Sequence, residues 1–309
     1  MPEHGSFWRR MIGAAGSLLL LLAVAAAVWR IFLFPWAANW GSTREERTKP
    51  LPGDEFGDSS APQRTSALTI RAPAGEVWKW LVQIGQDRGG FYSYTFLENL
   101  VGAGIRNTNE IRPQWQELRA GDAVRLARDD GVVQPKVLAV EPGRSLVLEF
   151  WGAFVLEPAP GGSCRLLVRS RGVGKPLARF ILSLVLDPIH FLMQRRMLLG
   201  IKALAEAPTA AERPVIPGTA DYAWFFSILG SGLLILVVLF AGRRPGRLPA
   251  AACLTALLTL ALFRFPPVPL TGIVLAAATL LVLLWRRGWF GRFRPGPMRG
   301  GDGDNGGVR

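Results

Sequence analysis

Residues 145–170 read SLVLEFWGAFVLEPAPGGSCRLLVRS. Apolar runs at 146–150 and 153–156 lead to Pro160-Gly161-Gly162, and a third run at 164–170 follows. Runs this short, broken by Gly and Pro, read as strands joined by tight turns. The same rhythm holds upstream. Run 123–127 gives way to Asp129-Asp130-Gly131, and run 133–140 to Glu141-Pro142-Gly143. Five such runs predict an antiparallel meander.

Working outward, Ala67-Leu68-Thr69-Ile70-Arg71 alternates before Pro73 and predicts another strand. A helix is expected over 74–84, with Val77, Leu81 and Ile84 on one face, ended by Gly85 and Gly89-Gly90. A short helix over 95–100 follows the aromatic cluster Phe91, Tyr92 and Tyr94. Beyond the meander, Asp187-Pro188 predicts the N-cap and first position of a closing helix. Its apolar face carries Phe191, Leu192, Leu198, Leu199, Ile201 and Leu204, and its wet face Gln194, Arg195, Arg196 and Lys202. The apolar run 181–186 before it reads as a lead-in helix or strand resting against the bilayer surface. The order predicts an α+β domain over 62–207, a curved antiparallel sheet around a long final helix. A cavity between them suits apolar ligands.

The flanks of this domain have a different composition. Segments 12–29, 222–242 and 268–285 contain no charged residue, and each has about the length needed to cross a hydrocarbon core. A shorter apolar run, 248–263, is set off from the last by Arg264-Phe265-Pro266-Pro267, a break that suits a tight connection between antiparallel spans. The first segment reads as a retained anchor (span about 12–34), because apolar character resumes after Arg30 and Trp29, Trp36 and Trp40 suit an interfacial belt. A cleaved signal peptide is the alternative, with Arg9 and Arg10 as its basic region. The expected organisation is an anchor at 1–40, a linker at 41–61, the α+β domain, a linker at 208–221, three spans within 222–287, and a basic, disordered tail at 288–309.

The net charge of +13 raises the question of nucleic acid. Residues 41–220 hold 23 Lys+Arg against 19 Asp+Glu, so the membrane-proximal parts carry +9 of the +13. Basic residues there fix topology and meet anionic headgroups, and a nucleic-acid partner is not expected. Arg9 and Arg10, Arg243, Arg244 and Arg247, and Arg286, Arg287, Arg292 and Arg294 fall on one side of a four-span arrangement. The rule for short loops then puts both termini in the cytoplasm and the large domain outside, in a multi-pass cell-membrane protein. Cys164 and Cys253 lie in different parts of the chain and show no metal-ligand spacing, so neither a disulfide nor a metal site is expected.

Several stretches resemble the START-like helix-grip superfamily (SRPBCC), especially its bacterial polyketide cyclase/dehydrase-like and membrane-attached members. They are 50–55 (PLPGDE), 72–81 (APAGEVWKWL), 90–100 (GFYSYTFLENL), 115–122 (WQELRAGD) and 197–202 (MLLGIK). The resemblance implies a helix-grip fold and binding of a hydrophobic or lipid-like small molecule near the bilayer. It does not imply one reaction, since the superfamily mixes carriers, cyclases and proteins without known activity.

Catalytic chemistry has few bearers. The histidines are His4 in the tail and His190, too few to assemble a Ser-His-Asp arrangement, and Gly85–Gly90 follows a helix, so it is no dinucleotide fingerprint. No cofactor is expected. Glu98 is the acid/base candidate if its carboxylate is desolvated near a cavity mouth, with a structural ion pair to Arg88 or Arg106 as the alternative. Residues expected around an apolar ligand are Trp78, Phe91, Tyr92, Tyr94, Glu98, Asn99, Trp115 and His190. Three functions follow: a membrane-anchored binder of an apolar molecule, a cyclase/dehydratase-type enzyme using Glu98, or a sensor or assembly module contacting a membrane protein partner.

Overall fold

The computed structural model describes residues 3–56, 62–128, 134–171, 176–240 and 247–264. Its elements are α1 (Glu3–Val28), a π turn (Trp29–Leu33), α2 (Phe34–Ala37), α3 (Arg44–Thr48), β1 (Gln63–Ile70), α4 (Ala74–Leu81) and α5 (Thr95–Leu100). There follow β2 (Val137–Glu141), β3 (Ser145–Leu148), β4 (Gly152–Ala159), β5 (Ser163–Arg171), α6 (Pro176–Ala205), α7 (Thr219–Phe240) and α8 (Arg247–Arg264). The fold is α+β around a five-stranded antiparallel sheet in the order β1-β5-β4-β3-β2.

The last four strands are the expected meander, and β1 closes it by pairing with β5 from Gln63↔Arg171 to Ile70↔Cys164. Run 123–127 forms no strand. Only Ala123 bridges to Lys136, and the next position, Pro135, has no N–H to continue a ladder. Residues 129–133 of that region lie outside the described residues.

Alternation sorts the side chains onto two faces. Leu68, Ile70, Leu146, Leu148, Phe154, Leu156, Leu166 and Val168 point inward, against Val77, Trp80 and Leu81 of α4 and Met197, Leu198, Ile201 and Leu204 of α6. Burying a Leu or Ile of this kind contributes roughly 1.5–3 kcal/mol each. Ala67, Val147, Ala153, Val155 and Leu167 point the other way and are covered by Leu51. The sheet is therefore buried on both faces, which explains why residues 146–148 of β3 form an unbroken apolar run.

That second cover comes from the stretch expected to be a linker. Residues 41–56 lie across the outer face of the sheet, held by two arginines of β5. Arg169, 4 % exposed, donates to Asp54 Oδ2 (2.7 Å) and to the carbonyls of Lys49 (2.8 Å) and Glu46 (2.6 Å). Arg165 makes a fork to both carboxylate oxygens of Glu46 (2.7 and 2.9 Å). The Arg165 hydrogen bonds hold the Glu46 carboxyl at about 2, below its ordinary 4.5. Glu46 also closes a capping box with Thr43 at the start of α3. Further upstream, the carbonyls of Ala38 and Trp40 accept from Thr65 and Ala67 N–H (both 2.9 Å), so the free edge of β1 is paired.

The closing helix starts earlier than Asp187. α6 runs unbroken through 181–186 and carries Pro188 inside it, giving 30 residues and a length of about 45 Å. The reason is tertiary. Asp187 is not a cap; its carboxylate takes a two-pronged pair from Arg64 of β1 at 2.7 Å on each oxygen.

Two helical stretches, Met11–Ala37 and Thr219–Phe240, are long and apolar enough to cross a membrane, judged by length and composition. Leu248–Arg264 is shorter. These helices pack on one another through Leu21, Ile235, Val238, Leu239, Ala251 and Leu254, while Ile12, Leu19, Leu22, Phe226 and Leu233 stay exposed. The expected span 268–285 and the tail lie outside the described residues.

Candidate functional site

The aromatic block 91–96 is built around a side chain that carries no pattern of its own, Asn107. Its Oδ1 accepts from Phe91 N–H (3.0 Å) and Tyr92 N–H (2.8 Å), and its Nδ2 donates to the carbonyls of Ser93 (3.1 Å) and Ile216 (3.0 Å). Both donors and both lone pairs of the amide are used. Tyr92 is thereby held at φ 53°, and its hydroxyl accepts from Gln83 Nε2 at 2.9 Å. α6 closes over it at Gly200, where any Cβ would meet the Tyr92 carbonyl and come within 2.8 Å of Tyr92 Cβ. Burial pushes the Tyr92 phenol well above its ordinary range, so it does not ionise near neutrality.

The block faces the first turns of α7. Tyr94 stacks on Trp224 with ring centroids 5.2 Å apart and planes 15° from parallel. Phe96 packs on Tyr222 and Phe225, each at 4.9 Å. Beside them Arg196 of α6 makes a fork to Asp221 (2.8 and 2.7 Å), and Asp221 Oδ2 also accepts from Gly218 N–H at 2.8 Å. Burial, reinforced by Asp221, pushes the Tyr94 phenol up as well. These aromatics thus bind the α+β domain to an apolar helix.

Glu98 and Asn99 sit on α5, one turn further. Asn99 exchanges hydrogen bonds with the backbone of Ile105 (2.9 and 2.7 Å) and fixes the return of the chain. Glu98 has a different environment. Its Oε2 is buried and, among the described residues, has no hydrogen-bond partner, and no ion pair joins it to Arg88 or Arg106. Arg88 donates instead to the Trp115 carbonyl. Burial alone pushes the Glu98 carboxyl up to about 7.

The other expected residues are dispersed. Trp78 is a half-buried member of the α4 shell, and Trp115 lies under the Arg112 guanidinium, 4.8 Å from its ring. His190 shares a hydrogen bond with Gln194 at 2.8 Å and lines a pocket with Trp29, Phe34, Arg64 and Asp187. That pocket includes none of the other expected residues, and its volume of about 30 Å³ suits a single water. Between the sheet and α6, where a ligand cavity is expected, Trp80, Tyr92, Phe154 and Leu198 are buried in the core. Among the described residues no three His, Cys, Asp or Glu side chains gather into a metal-binding group.

Asn107, Gln83, Arg196 and Asp221 escape sequence reasoning because each matters only through its partner. The charge of Asp221 at the head of an apolar run was the one available signal, and it reads equally well as a plain helix start. No family model and no curated protein matches the chain.

Proposed function

We propose that the chain is a membrane-anchored helix-grip domain, START-like in kind, that handles a hydrophobic or lipid-like small molecule at the bilayer surface. The observation that carries this reading is the sheet whose first strand pairs with its last, with the C-terminal part of a 30-residue helix, Met197 to Leu204, packed on its apolar inner face. The apolar helices before and after the domain support a multi-pass membrane protein, since large exposed apolar side chains in such number are costly in water. The charge distribution of the short loops supports cytoplasmic termini and an outside domain.

Trp80, Tyr92 and Phe154 are buried in the interior, so admission of a large ligand requires a part of its cover to move. α5 is the segment suited to that. It has six residues, no side-chain cap at its start, and two exposed apolar residues, Leu100 and Val101, at its end. Glu98 would lie at the opening, its neutral carboxyl able to donate a hydrogen bond to a headgroup or carbonyl. The test uses the full chain in mild detergent, with co-purifying lipids identified by mass spectrometry. A second protein carries Phe96→Cys and Tyr222→Cys, so that a disulfide pins α5 to α7. Bound lipid in the first and its loss in the oxidised second is the expected result. An empty protein in both states overturns the binder and favours an assembly module of a membrane complex, for which the packing of Tyr94 and Phe96 on α7 speaks.

A second reading rests on Glu98 itself. A desolvated carboxyl near 7 has the acidity a general acid or base needs at neutral pH. Turnover of a polyketide-like substrate that disappears in Glu98→Gln, with lipid content unchanged, would establish the cyclase/dehydratase alternative.

A further inference from the structure

At α2, on the domain side of α1, one indole has two cations over its ring. The Arg264 guanidinium lies 4.4 Å from the centre of the Trp36 ring, and that of Arg195 lies 5.7 Å from the same ring and 5.3 Å from Trp40. The place is the domain-side end of the apolar helices. α8 ends there, with Phe263 packed 4.7 Å from Trp29, while Trp36 packs 5.3 Å from Phe191 of α6. Other buried guanidiniums around α6 are matched, Arg64 by Asp187 and Arg196 by Asp221. Among the described residues neither Arg195 nor Arg264 has a carboxylate. Arg195 has five N–H donors, of which one meets the Phe263 carbonyl at 2.9 Å, and its buried Nε has no acceptor. Capping the end of α8 therefore uses only part of it. Burial and the charge of Arg264 both push the Arg195 guanidinium down from its ordinary value, the mark of a cation short of a counter-ion.

We infer that Arg195 and Arg264, over the faces of Trp36 and Trp40, bind the phosphate of an anionic lipid headgroup at the domain-side surface of the bilayer. Guanidiniums match phosphate oxygens in pairs, and the two indoles form an interfacial wall of the kind that tryptophans supply at headgroup level. The site lies outside the sheet–α6 interior, so it goes beyond the proposed binder, sharing with it only the membrane placement.

The test places the full chain in nanodiscs of phosphatidylcholine alone or with one-fifth phosphatidylglycerol, and weighs retained lipid by native mass spectrometry. Phosphatidylglycerol should be enriched on the wild type. Arg264→Gln, at an exposed position, should cut that enrichment about fivefold, the factor that roughly 1 kcal/mol per basic residue near a charged surface represents. Arg195→Gln should cut it further. No preference in the wild type, or one unchanged in Arg264→Gln, overturns the inference. Millimolar inorganic phosphate that displaces phosphatidylglycerol overturns the lipid assignment in favour of a soluble anion. Release of the protein from membranes by alkaline carbonate would instead sink the membrane placement, a separate result.

Discussion

At the scale of single residues, Glu98 and Glu46 are opposite cases of one chemistry. Both are carboxyls, yet burial without a partner raises one to about 7 and an arginine fork lowers the other to about 2. For Glu98 the folded value exceeds the unfolded 4.5, so the folded state holds the extra proton between them. Its contribution is fully present below about pH 4.5 and is lost as pH rises through 7. Glu98→Gln should therefore be more stable than the wild type at pH 8, by about 2–3 kcal/mol, and equal to it at pH 4. Chemical denaturation at the two pH values measures this, and an equal offset at both would contradict it. Glu46 runs the other way: its stabilisation exists above about 4.5 and disappears as pH falls through 2. Acid unfolding of Glu46→Gln should thus lack the component that the wild type loses over that window.

At the scale of elements, the outer cover of the sheet depends on Arg169. Its guanidinium, nearly inaccessible, joins β5 to three points of segment 46–54. Arg169→Ala removes the donor to two part-buried carbonyls and one of the partners of Asp54, which keeps Leu51 N–H and Arg171, and should cost about 2–3 kcal/mol. Limited proteolysis is the direct readout, because cleavage should move into 44–56 before the domain itself opens. Protection unchanged from the wild type would show that the Arg165–Glu46 fork and Leu51 hold the cover without Arg169. The same scale accounts for α6. A proline inside a helix removes one hydrogen bond, and the fork from Arg64 to Asp187 holds the segment in place across it.

At the scale of the molecule, two joints among the described residues connect the α+β domain and the apolar helices. One is the Tyr94, Phe96 and Arg196 contact with α7, and the other the Trp29, Trp36 and Phe191 contact at the end of α1. Asp221→Ala strands Arg196 and removes the acceptor at Gly218, so the first joint should fail before the second. Thermal unfolding in detergent should then split into two transitions where the wild type shows one. A single transition at an unchanged midpoint would count against the joint.

Much of this architecture was legible without coordinates. Helix 95–100, the meander from 137 to 171, the strand ahead of Pro73 and the two long apolar helices follow from periodicities of two and of 3.6 residues and from Gly and Pro breaks. Those signals are local, because backbone geometry repeats over a few residues whatever lies beyond them. What the tertiary structure alone decided is which surfaces meet. The residues 41–56 read as a linker and became the second cover of the sheet, since Glu46 and Asp54 find arginines more than 100 positions away. Asp187 has the form of an N-cap and became an ion pair for the same reason. The aromatic block 91–96 has the composition of a ligand platform, yet Tyr94 and Phe96 pack on Tyr222, Trp224 and Phe225, while Tyr92 packs on Trp80 and Phe91 on Trp151. An aromatic ring is as well buried by a helix as by a ligand, and only the position of α7 distinguishes the two.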